Sequence, residues 1–278
     1  MSSARGILER AALPFLRAAA SIRRRHDARR FDYPYSNLLA IGLPKSGTTW
    51  MLRMLSAVPG YIIWKTPDQV RNEHGIIRRR DFVPGPSGYT ATKLHAWPTD
   101  EHLDVLEEAG RPYVAMIRDL RDVSVSWAHF VALPGRTDWS HPEAVDLPLE
   151  GRISYYIEHI LDKRLDWSLQ WRERLHPALG LLVRYEQMKE QPVEVMEQVC
   201  AHYRLGLPDD AVRGIVEQHA FRRATGREPG QEDRGSFNRK GIVGDWINHY
   251  TDAHKDAFRR VSGGRLAALG YVESEDAW

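Results

Sequence analysis

The sequence predicts an α/β fold with a central, mostly parallel sheet flanked by helices. Two observations carry this expectation. From residue 37 onward, short apolar runs rich in β-branched residues alternate with longer stretches of helical periodicity, the pattern of parallel strands joined by crossover helices. The first such run, residues 37–43 (NLLAIGL), passes through a glycine-bearing turn straight into TTWMLRMLSA, a strand–turn–helix unit. Strands are expected over residues 37–43, 91–97, 113–117 and 180–185. Helices are expected over 48–57, 100–109, 120–130, 151–175, 192–204, 209–219 and 252–269. Three loop-rich segments, 65–90, 131–150 and 222–245, interrupt the pattern. Long loops in a compact domain are often lids or binding loops, and sheets of this type take ligands beyond the carboxyl ends of their strands.

Composition narrows the function classes. With 278 residues the chain is long enough to bury a substantial core. Its net charge of +2 gives no strong pull toward nucleic acid. Cys200 is the single cysteine, so neither an intrachain disulfide nor a cysteine-based metal cage can form, and a cytoplasmic location is expected. No apolar run approaches the roughly 18 residues of a membrane span. Residues 1–34 are read as a basic, helical N-terminal extension ahead of a single domain over 35–278. The extension is either a solvated helix or an amphipathic surface in weak contact with a membrane.

The chemistry-bearing residues begin at the first turn, GLPKSGTT. Gly42 and Gly47 have the spacing of a phosphate-binding G-x-x-x-x-G loop, and Thr48 and Thr49 follow. A glycine turn at a helix start presents backbone N–H groups and a positive dipole end to an anion. The lysine, however, is Lys45, two residues before the second glycine rather than directly after it. Along ATKLHAW, Lys93 and His95 share a face. Arg118 stands at the end of the YVAMI run, Asp119 or Asp122 is positioned to cap the following helix, and Ser126 lies in its early turns. Arginine and serine together suit a phosphate. Late in the chain, Arg239, Lys240 and Gly241 open the loop RKGIVGDW.

Taken in order, PKSGTTW, RDLRDVSVS and RKGIVGDW resemble the sulfotransferases that use 3′-phosphoadenosine 5′-phosphosulfate (PAPS), the cytosolic-type family and its bacterial relatives. The resemblance runs from Asn37 to Tyr271 and implies a P-loop-like three-layer fold and transfer of a sulfuryl group from PAPS, without a metal, to an acceptor hydroxyl or amine. It implies that Lys45, Ser46, Gly47, Thr48 and Thr49 hold the 5′-phosphosulfate, that Trp50, Tyr185 and Phe221 surround the adenine, and that Arg118, Ser126, Arg239, Lys240 and Gly241 bind the 3′-phosphate. His95 is then the catalytic base, with Lys45 at the leaving phosphate oxygen and Lys93 at the sulfonate. The family's K-T-H-x-P appears here as KLHAWP, with Leu94 for the threonine and one residue inserted before Pro98. The family's C-terminal dimer motif is broken by Ile247 and Asp252, leaving the oligomeric state open.

A P-loop nucleotide-dependent kinase or phosphotransferase would require lysine directly after Gly47 and a carboxylate for magnesium. A nucleotide-binding module without catalysis would not require both Lys45 and His95. The acceptor is expected to be a small molecule, lipid or glycan. Trp64, Tyr89, Trp97, Phe130 and Trp139 are either its lining or core aromatics, and Arg78, Arg79 and Arg80 form either an anion-facing run or a solvated face.

Overall fold

The computed structural model describes residues 30–66, 75–79, 88–133, 141–274 and 278. Most of the N-terminal extension, Arg80 and Trp139 lie outside them. Among the described residues five strands, β1 (Asn37–Gly42), β2 (Ile62–Ile63), β3 (Thr90–Leu94), β4 (Tyr113–Ile117) and β5 (Gly180–Arg184), form one sheet in the order β2-β3-β1-β4-β5. Every neighbouring pair is parallel. Parallel sheets are buried on both faces, which explains why β1 and β4 are wholly buried and apolar except for Asn37, whose amide donates to Thr90 and Thr92.

The helices form the outer layers: α1 (Thr48–Ala57), α2 (Asp100–Glu108), α3 (Leu120–Phe130), α4 (Leu149–His159), α5 (Leu161–Glu173), α6 (Tyr185–Glu190), α7 (Pro192–His202), α8 (Asp209–Gln218), α9 (Phe221–Thr225), α10 (Asp252–Ser262) and α11 (Arg265–Ala268). One core layer packs residues of α3, α4, α5 and α10 against one sheet face, including Trp167, Trp171 and Phe258. The other packs α1, α7 and α8 against the opposite face through Met51, Leu55, Met196 and Tyr203.

Several elements differ from the sequence expectation. The helix expected over 151–175 is two helices, parted at Ile160 where φ is −121°. That expected over 252–269 breaks at Gly263 and Gly264, both in the left-handed region at φ 55° and 91°, a conformation glycine adopts at little cost. The strand expected over 91–97 ends at Leu94. The short elements β2, α6 and α9 have too few residues for periodicity to reveal them.

The segment after β3 is nevertheless fixed. The indole N–H groups of Trp167 and Trp171 both donate to Ala96 O at 2.9 Å, and Arg174 Nη1 donates to Pro98 O at 2.5 Å. Helix α5 therefore holds His95 in place although His95 is not in the strand. Either indole alone satisfies the Ala96 carbonyl, whereas losing both orphans a buried acceptor. We expect the double variant Trp167→Phe/Trp171→Phe to lose about 1–3 kcal/mol more than the sum of the single variants, measured by denaturant unfolding.

Candidate active site

The register sets Gly42 beside Met116 and Ile41 beside Leu94, so β1, β3 and β4 end level with one another. Beyond that edge lies a cavity lined by residues from four separate parts of the sequence: Lys45, Gly47, Thr48, Thr49 and Trp50; Arg118 and Ser126; Tyr185; and Phe221, Arg239, Lys240 and Gly241. These are the residues singled out in the sequence, except Ser46, His95 and Lys93. Ser46 is buried, and both its N–H (3.2 Å) and its Oγ (2.7 Å) donate to Leu43 O, which ties the turn to itself. Lys93 Nζ donates to Thr49 Oγ1 at 2.7 Å. His95 Nδ1 lies 2.5 Å from Gly42 O, at the start of the loop.

The loop is tight because its neighbours leave no room. A Cβ on Gly42 would collide with Thr48 Cγ2 and stand 2.9 Å from Ser46 Oγ; one on Gly47, at φ 89°, would stand 2.7 Å from Tyr185 Cδ2. Lys45 is itself left-handed at φ 74°, which costs a residue with a Cβ about 1–2 kcal/mol. Contacts with Arg118, Phe130 and Phe237 help to hold it there. Arg118 Nη1 donates to Lys45 O at 3.1 Å. The Lys45 ammonium sits 4.3 Å from the Phe130 ring centroid and 4.2 Å from that of Phe237, a cation–π arrangement.

Arg118 also stacks 4.2 Å over the Tyr185 ring. Burial raises the Tyr185 pKa, and the Arg118 guanidinium opposes the shift. Asp119 is the helix cap, accepting from Arg121 N at 2.9 Å. Asp122 has a different task that sequence reasoning missed. Its carboxylate accepts from Gly244 N at 2.8 Å and Trp246 N at 3.1 Å, and lies 3.4 Å from Arg118 Nη2. One buried carboxylate thus joins the second motif to the third. Asp245 acts likewise within the third motif. It pairs with Arg239, and with Lys240 at 2.6 Å. Burial alone would raise the Asp245 pKa, but hydrogen bonds from His249, Lys240, Arg239 and Asn248 hold it far below the usual carboxylate range.

Other cavity residues were not foreseen: Arg53, His129, Lys189, Phe237 and Asn238. Lys189 had a visible signal, one helical turn after Tyr185. Burial, and then Arg118, lower its pKa. Glu186, two residues after β5, accepts from Asp119 N at 3.0 Å and from the Tyr271 hydroxyl at 3.4 Å. Among the aromatics considered for an acceptor, Phe130 lines the cavity. Tyr89 does not: it is buried, and its hydroxyl donates to Phe31 O at 2.5 Å. Trp97 packs against the core, and Trp64 is outside the cavity lining. Arg79 pairs with Glu108 at 2.8 Å on an exposed face. Filling the Gly42 niche should cost stability: we expect Gly42→Ala to lower unfolding free energy by about 1–3 kcal/mol, read from the thermal transition.

Comparison with known proteins agrees with this geometry. Residues 36–270 match the family model for the sulfotransferase domain. Sulfotransferase 6B1 of Danio rerio is 24% identical over 248 residues, covering 83% of this chain and 78% of that protein. Sulfotransferase 1A1 of Canis lupus familiaris is 27% identical over 258 residues, covering 82% of each. Among solved structures, mouse sulfotransferase SULT7A1 complexed with PAP superposes with a TM-score of 0.66 at 18% identity, over 91% of this chain and 93% of that one. Retinol dehydratase in complex with retinol and PAP gives 0.61 at 12% identity, over 88% and 85%. A family match over most of the chain, on a sheet whose carboxyl edge gathers the three motifs, places this protein in the sulfotransferase family.

Proposed function

We propose that the cavity binds PAPS and that this chain moves its sulfuryl group to a hydroxyl or amine of a small, largely apolar acceptor. The observation that carries the reading is the meeting of the three motifs in one cavity. Three buried nitrogens in its wall, Trp50 Nε1, Arg118 Nε and His129 Nε2, have no hydrogen-bond partner among the described residues, and unpaired buried nitrogens suit a polyanionic ligand. The sulfotransferase domain is assigned to residues 35–278. A reducing cytoplasm suits a chain whose one cysteine is buried.

In this reading the N–H groups that open α1, with the Thr48 and Thr49 side chains, hold the 5′-phosphosulfate. Trp50 and Phe221 flank the base, and Tyr185 lies beside it. Arg118, Ser126, Arg239, Lys240 and the Gly241 N–H hold the 3′-phosphate. A Cβ on Gly241 would stand 2.5 Å from Phe221 Cε2, so glycine lets the loop approach that ring. When bound, PAPS supplies the sulfuryl group, whose bond to the 5′-phosphate oxygen breaks as the acceptor atom bonds to sulfur. His95 accepts the proton from the acceptor. Its Nδ1 contact with Gly42 O supports this, because a proton on Nδ1 leaves the Nε2 lone pair as the base. Lys45 neutralises charge growing on the leaving oxygen, and Lys93, held at Thr49, faces the sulfonate. A lysine in mid-loop serves a leaving group on the 5′-phosphate, where a lysine after Gly47 would serve a terminal phosphate.

The acceptor sits beside Lys45, where Phe130, Leu133, Phe237 and Ile242 make the wall apolar. Bound retinol and androsterone in structural neighbours support an apolar acceptor of that size.

Calorimetry without metal should give micromolar binding of 3′-phosphoadenosine 5′-phosphate, and weak binding of Mg-ATP. Arg239→Ala should weaken the former about 10–100-fold, the worth of one charged hydrogen bond. Preference for Mg-ATP would overturn the reading. His95→Asn should lower kcat with labelled PAPS by about 10²–10⁴, with bisphosphate affinity within a few-fold of wild type.

A further inference from the structure

His129 belongs to none of the three motifs, yet it stands where two of them meet. It is on α3 one turn beyond Ser126 and lines the cavity. Its side chain is nine-tenths buried, at 10% exposure. Among the described residues its Nε2 is buried without a hydrogen-bond partner, and the nearest carboxylate oxygen, Glu232 Oε1, is 3.9 Å away. The charged and titratable groups that act on it come from two segments. Glu232, Arg234 and Arg239 belong to the loop after α9. His249, whose ring centroid is 5.7 Å from that of His129, follows the Asp245–Asn248 turn and contacts Asp245 Oδ2 at 3.2 Å.

We propose that His129 is a further ligand for the 3′-phosphate and that it takes up a proton as that phosphate binds. The inference rests on the placement of the 3′-phosphate at Arg239. The free site suits the role: burial first, and then the Arg239 guanidinium, hold His129 down at about 4. It is therefore neutral near pH 6.5. A dianion brought against Nε2 reverses the balance, adding an opposite charge of the kind that raises a pKa by about 1–3 units. The phosphate then receives a charged donor that the empty site did not have to keep charged and buried.

The test is calorimetry of 3′-phosphoadenosine 5′-phosphate at pH 5.5 in two buffers of different ionisation enthalpy, which counts protons exchanged on binding. A phosphate ester has a second pKa near 6 and releases protons when captured as the dianion, and that release is common to every variant. The difference in protons exchanged between wild type and His129→Gln therefore isolates the histidine. We expect wild type and His249→Gln each to take up roughly 0.2–0.9 proton per site more than His129→Gln, with affinity about 10–100-fold weaker in the latter. An exchange in His129→Gln equal to that in wild type overturns the proposal and leaves the PAPS reading intact. If His129→Gln does not fold, the histidine ¹⁵N spectrum of the wild-type complex decides, a neutral His129 overturning the proposal. Absence of bisphosphate binding overturns both.

Discussion

The carboxylate of Asp122 is the point through which the phosphate-binding parts of the site are joined. It is 2% exposed and accepts the backbone N–H groups of Gly244 and Trp246 while lying against Arg118. A buried carboxylate is stable only where donors replace the water it has lost. Here those donors are the loop that carries Arg239 and Lys240 and the arginine that ends β4. Folding of α3 thus brings the third motif, more than a hundred residues away in sequence, to the edge where the first begins. Arg118 passes the constraint on by holding the Lys45 carbonyl and stacking on Tyr185.

Lys45 shows how much of the molecule is arranged around one cation. Its left-handed backbone is unfavourable in isolation. The Arg118 bond and the rings of Phe130 and Phe237 compensate. Strain that persists where its surroundings over-determine it is a common mark of a functional position. The cations of the third motif are restrained by Asp245, which draws Arg239 and Lys240 onto one carboxylate and orients them before any ligand arrives. Such preorganisation reduces the entropy lost on binding.

The long elements and the three motifs were legible in the sequence because each rests on local rules. Strand–turn–helix order, glycine at left-handed positions and apolar runs need no tertiary information. Gly263 and Gly264 were equally visible, and their pairing marks a helix end that periodicity alone runs past. Asp122 was harder to read. Sequence suggests a cap for an acidic residue near a helix start, and Asp119 takes that task while Asp122 turns to a distant loop. Tyr89 was ambiguous for a similar reason, since an aromatic beside a strand reads alike whether it meets a ligand or, as here, the packed segment around Phe31. His95 kept its place after β3 ended because two tryptophans and an arginine outside its neighbourhood in sequence hold the following carbonyls.

One carboxylate, that of Asp122, joins the parts of the binding site. Calorimetric titration of Asp122→Asn with 3′-phosphoadenosine 5′-phosphate tests that role most directly, with circular dichroism confirming the helical content. Asparagine keeps the shape but removes the charge and turns an N–H₂ toward a backbone donor. The expected affinity is about 10–100-fold weaker than wild type in a protein that remains folded. A folded Asp122→Asn protein that binds with wild-type affinity would contradict it.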